Sequence, residues 1–146
     1  MTDRIGIGIV GAGWMGHVHA RAYARLRHHF PTGGRDPELI AAADPVDAQL
    51  SDLVRRHGIA TGYADWRDLV ADPRIGAVSV TAPNHLHAQI GVAVAEAGKH
   101  LWIEKPVGLN AADAEAVRRA VQAAGVSSAV GFNYRNVPAV MRARSA

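Results

Sequence analysis

Apolar residues recur along this chain in two alternating periods. Ile5, Ile7, Ile9 and Val10 form a short run with the period of a strand, and Val18, Ala22 and Leu26 then fall four residues apart, as on one helix face. The alternation continues to the end. Strands are predicted at 38–43, 75–81, 100–103 and 128–132, and helices at 16–27, 45–56, 65–70, 84–97 and 110–124. A further helix is predicted from Pro138. Asn84 is the predicted N-cap of its helix, Asn110 opens the next long one, and Gly58, Gly98 and Gly125 stand where helices should stop. The stretch His28 to Pro37, with its glycines and prolines, is predicted to be a surface loop. Strands alternating with helices give an α/β fold, a doubly wound, mostly parallel sheet with right-handed crossovers.

Composition narrows the function without naming it. The 146 residues suit one domain, read as 1–137, with 138–146 beginning a helix that leads elsewhere. Sixteen Lys and Arg against thirteen Asp and Glu give a net charge of +3, scattered along the chain, so no nucleic-acid partner is expected. No apolar stretch reaches the roughly 18 residues of a membrane span, so no membrane partner is expected either. The absence of cysteine rules out thiolate chemistry and fits a cytoplasmic setting. His28 and His29 lack a carboxylate or cysteine at ligand spacing, so no metal is expected.

The candidate chemistry sits where strands end. Between the first strand and first helix lies Gly11-Ala12-Gly13-Trp14-Met15-Gly16, with the spacing G-x-G-x-x-G. Gly11 allows the sharp turn, Gly13 lets a pyrophosphate approach the backbone, and Gly16 lets the helix pack closely on the strand. The helix N-terminus then faces the phosphates. Asp44 ends the second strand, where an acid accepts from ribose hydroxyls and repels a 2′-phosphate, favouring NAD over NADP. It equally suits a cap for the next helix, and the two roles are compatible. Trp14 is read as either a lid over the cofactor or simple packing, and His17 and His19 as packing or solvent residues. Lys105, one of two lysines, follows an apolar strand directly; partial burial there would tune it for proton transfer, with Glu104 orienting the ammonium. The same tripeptide also reads as a surface turn stiffened by Pro106.

Taken together, the glycine turn followed by His19-Ala20, Asp44, Pro83-Asn84 with His87, Glu104-Lys105-Pro106, and Gly131-Phe132-Asn133-Tyr134-Arg135 with Pro138 resemble the glucose-fructose oxidoreductase, inositol dehydrogenase and rhizopine catabolism oxidoreductase family. The resemblance runs along nearly the whole chain and implies a Rossmann fold. It implies that the residue matching Lys105 is catalytic, assisting proton transfer as a sugar, cyclitol or related polyol exchanges hydride with NAD. It also implies cofactor contacts from Gly11, Gly13, Trp14, Met15, Gly16, Asp44, Ala82, Pro83, Asn84, His87, Glu104, Lys105, Asn133 and Arg135. The Lys105-Pro106 bond is a candidate for the cis form. Family members continue into a second α+β domain that supplies substrate contacts and further catalytic groups, and this chain stops near where it should begin. The expectation is therefore the NAD-binding half of an oxidoreductase, weak or inactive alone. A non-catalytic nucleotide-binding or scaffold module is the alternative. The sequence leaves the oligomeric state open, a homo-oligomer included.

Overall fold

The computed structural model describes residues 3–29 and 35–145. Among them, six strands form one fully parallel sheet: β1 (Asp3–Val10), β2 (Arg35–Ala43), β3 (Thr61–Tyr63), β4 (Ile75–Val80), β5 (His100–Ile103) and β6 (Ser128–Val130). The spatial order is β3-β2-β1-β4-β5-β6, so the chain runs outward from β1 in one direction, returns, and runs outward in the other. The reversal between β1 and β4 opens a crevice at their carboxyl ends, the place where doubly wound sheets bind ligands.

Helices cover both faces because successive residues of the internal strands are apolar or small, as in Ile9-Val10 of β1 and Ala41-Ala42-Ala43 of β2, whose side chains enter the two cores in turn. On one face α1 (Trp14–His29) and α2 (Asp47–His57) bury Ile9, Ala20, Ala42, Leu50 and Leu53. On the other, α3 (Trp66–Ala71), α4 (His87–Glu96) and α5 (Ala111–Ala124) close over Val10, Val78, Val80, Leu69, Ile90 and Val117. A last helix, α6 (Pro138–Ser145), begins at the predicted proline. The expected stops hold: Gly58, Gly98 and Gly125 all take positive φ, and the Asn110 side chain caps α5 by accepting from Asp113 N–H at 3.0 Å.

Several sequence-based expectations need correction. Where 28–37 was expected to loop, His28 and His29 are the last residues of α1, and Arg35 to Pro37 already belong to β2. Pro37 stands opposite Ile5 of β1, and because β3 pairs only with Ala41 to Ala43 the other side of this part of β2 is an open edge, where proline is tolerated. Residues 30–34 lie outside the described residues. β3 was not predicted, since three residues carry no readable period. Asn84 does not cap with its side chain. It opens a 3-10 turn over Asn84–Leu86, and its carbonyl accepts the His87 N–H. β6 ends at Val130, two residues early, where Gly131 and Phe132 turn away. α2 starts at Asp47, two residues beyond Pro45.

Candidate functional site

The glycine turn is fixed by its two neighbouring strands. Gly11 N–H donates to Ala43 O at 2.9 Å, and Thr81 N–H donates to Val10 O at 2.8 Å. The Thr81 hydroxyl donates to Gly11 O at 2.7 Å, a role the sequence reading missed. Each glycine meets a different constraint. Gly11 has φ +100°, and a Cβ there would press on the backbone of Thr81 and Ala82. A Cβ on Gly16 would collide with the Gly11 carbonyl oxygen. A Cβ on Gly13 would meet nothing within 4 Å. The protein itself therefore does not require glycine at 13, and the space it leaves faces outward, as a ligand approaching the backbone needs. Behind that space stands the N-terminus of a 16-residue helix whose first turn carries no acidic side chain to compete with an anion.

Beside this turn lies a cavity of about 520 Å³, within the range of small-molecule sites. Among the predicted site residues Gly11, Gly13, Trp14, Met15, Asp44, Ala82 and Pro83 line it. Trp66, His85 and Val46 are among its other wall residues. Trp66 already carries the Arg67 guanidinium 4.5 Å from its ring centroid. Trp14 is 76% exposed, which sets aside simple packing.

Asp44 does not cap α2 as expected: it stands three residues before the helix and bonds the N–H of Val46, the residue ahead of its first turn. Its Oδ2 accepts from Ala12 N–H at 2.7 Å and its Oδ1 from Val46 N–H at 2.8 Å, which ties the glycine turn to the start of α2. Each carboxylate oxygen has two acceptor sites, so capacity for ribose hydroxyls remains on the cavity side.

The Glu104-Lys105-Pro106 segment follows β5 on the same sheet edge and does not line this cavity. The peptide Lys105-Pro106 is cis, as the resemblance allowed. Lys105 is exposed, so the partial burial expected of it is not supplied by the described residues. The strand ends before the lysine, and none of the described residues covers it. Glu104 is instead partly buried: its Oε1 accepts from His19 Nε2–H at 3.1 Å and its Oε2 from Lys105 N–H at 3.3 Å. It lies flat against Gly131, where a Cβ would clash with the carboxyl group. His87 is 1% exposed, with Nδ1 2.6 Å from Pro106 O and Nε2 2.7 Å from Ala82 O. It sits beneath the surface, joining the ends of β4 and β5. Asn84, Asn133 and Arg135 stand exposed on the same edge. The site residues thus fall into two groups, one around the cavity and one around Lys105.

Nothing in the sequence around the other lysine marks its role. Lys99 is buried at the opposite edge, its ammonium donating to Asp72 O at 2.8 Å and Ile75 O at 2.6 Å. Burial pushes its pKa down, opposed by the Asp72 charge. Asp72 is held well below the usual carboxylate range, first by hydrogen bonds from the Arg74 side chain and also by those from Arg74 N–H and the Tyr63 hydroxyl.

Comparison with known proteins agrees with this geometry. Residues 5–132 match the oxidoreductase family described as having the NAD-binding Rossmann fold. Levoglucosan dehydrogenase of Pseudarthrobacter phenanthrenivorans is 39% identical over 144 residues, covering 97% of this chain and 36% of the relative. Inositol 2-dehydrogenase of Rhizobium meliloti is 34% identical over 146 residues, covering 100% of this chain and 41% of the relative. Among solved structures, an NAD binding oxidoreductase from Klebsiella pneumoniae superposes with a TM-score of 0.90 at 39% identity, over 97% of this chain and 38% of that one. A levoglucosan dehydrogenase in complex with NADH and levoglucosan gives 0.91 at 36% identity, over 98% of this chain and 39% of that one. The chain spans about two-fifths of the length of these relatives. Among the described residues no helix is long and apolar enough to cross a membrane. Over that span, with a glycine turn open at Gly13 and an acid closing its second strand, the chain belongs to the glucose-fructose oxidoreductase and inositol dehydrogenase family as its NAD-binding Rossmann domain.

Proposed function

We propose that this chain is the cofactor-binding part of an NAD-dependent dehydrogenase acting on a sugar, cyclitol or related polyol, and that it contributes Lys105 to the reaction. The observation that carries the reading is the placement of an open glycine turn, an acid with acceptor capacity to spare and an exposed lysine along one sheet edge. The α1 N-terminus and Gly13 would hold the pyrophosphate, and Asp44 the ribose hydroxyls, with Trp14 over the dinucleotide. Nicotinamide, when bound, supplies hydride acceptance and donation. Lys105 Nζ takes the hydroxyl proton as the carbinol carbon is oxidised, and returns it in the reverse direction. An exposed lysine is screened by water and has only one wall of a substrate site beside it, so the chain alone turns over weakly or not at all.

The Asp44 carboxylate sets the cofactor preference. Titration of the chain with NADH and NADPH, followed by nicotinamide fluorescence, should show NADH binding at least about tenfold tighter, since a 2′-phosphate would bring its charge against a carboxylate already serving two backbone N–H groups. Equal affinities, or tighter NADPH binding, would count against the assignment of Asp44 to the ribose.

A further inference from the structure

We propose that His19 is a positioning residue for Lys105, acting through Glu104; this deepens the reading of Lys105 as the proton-transfer group and rests on it. His19 stands in α1, three residues beyond the last glycine of the turn, and its ring is buried. Its Nε2–H donates to Glu104 Oε1, and its ring meets Trp102 edge-on with centroids 5.4 Å apart, which fixes the ring plane. The second carboxylate oxygen of Glu104 accepts the Lys105 backbone N–H. Gly131 leaves the room in which the carboxylate lies. On the far side of the lysine, the Pro106 carbonyl is bound by the buried His87 ring. Lys105 is thus an exposed side chain on a backbone segment gripped from both flanks. The grip on its N-terminal flank comes from the helix whose first turn faces the phosphate site. The same helix would therefore set both where the dinucleotide lies and where the lysine stands.

A buried histidine that only filled space would leave a different signature. Its removal would loosen the fold everywhere, whereas a positioning role disturbs the lysine selectively. The chain has two lysines, so selective ¹⁵N-lysine labelling gives two backbone amide signals. Lys99 N–H, bonded to Val94 O at the opposite edge, is the internal control, and Lys105 N–H reports the Glu104 carboxylate directly. In His19→Leu the Lys105 signal should move or broaden while the Lys99 signal stays in place. In His19→Gln, which keeps a side-chain N–H within reach of Glu104, the Lys105 signal should return toward its wild-type position. A Lys105 signal unmoved in His19→Leu, equal displacement of both signals, or no recovery in His19→Gln would overturn the proposal. If His19→Leu does not fold, His19→Gln decides alone: a Lys105 signal far from wild type overturns it. These spectra need no nucleotide. NADH added to the wild-type sample tests the dinucleotide reading separately, and failure to bind would sink that reading while leaving the amide comparison to stand or fall on its own.

Discussion

The two lysines of this chain stand at opposite edges of one sheet and live in opposite environments. Lys99, at the amino edge, is buried with its ammonium divided between two backbone carbonyls, beside an Asp72 whose carboxylate is saturated by Arg74 and Tyr63. Lys105, at the carboxyl edge, has an exposed side chain on a firmly held backbone. At the amino edge the polar groups are spent on one another, which stabilises the fold and leaves nothing for a ligand. At the carboxyl edge the backbone is fixed, but Gly13, Trp14 and Lys105 keep faces open to solvent. The same residue type is thus structural where its hydrogen bonds are satisfied internally and available for chemistry where they are not.

The contrast can be broken at either edge. The largest effect is expected at Gly16→Val, where the new side chain meets the Gly11 carbonyl; a loss of about 3 kcal/mol or more, read by urea unfolding, is expected from forcing helix and strand apart. Next comes Lys99→Met, which removes the ammonium from the Asp72 and Ile75 carbonyls, leaving Asp72 O with the Ile75 N–H as its partner. It should cost about 2–3 kcal/mol by the same measurement and leave NADH affinity unchanged. Asp72 gives a pH signature. Its folded pKa lies below the unfolded value of about 3.9, so its contribution is full above that value and is lost as pH falls through it toward the folded one. Stability of the wild type should therefore drop faster below about pH 4 than that of Asp72→Asn, in acid titrations followed by circular dichroism. Lys105→Ala should be the mildest, within about 0.5 kcal/mol of wild type, because an exposed side chain is lost. A large destabilisation there would erase the difference between the edges.

How much of this the sequence discloses depends on whether the cause is local. The glycine turn, the start of α5 at Asn110, and the left-handed stops at Gly58 and Gly125 are decided within a few residues, and all are legible as spacing. The convergence of strand ends follows from alternation alone. What escaped reading depends on partners far along the chain. β3 exists because Ala41 to Ala43 offer it a ladder, and Arg35 to Pro37 extend β2 because β1 pairs with them. The His19–Glu104 bond spans 85 positions, and Lys99 follows a glycine in what reads as a polar helix end. For Lys105, an apolar strand before it suggested burial, but burial depends on what packs above the strand end.

Gly13 offers the most direct test that this edge is a dinucleotide site, because the fold has no use for its missing side chain. Wild type and Gly13→Ala should be compared by NADH fluorescence titration together with thermal melting. Saturable one-to-one NADH binding by the wild type is expected, weakened at least about tenfold in Gly13→Ala with the melting behaviour nearly unchanged, since the added methyl group stands only where the pyrophosphate must approach. Undiminished NADH binding in Gly13→Ala, or no binding by the wild type, would contradict the assignment of this edge to NAD.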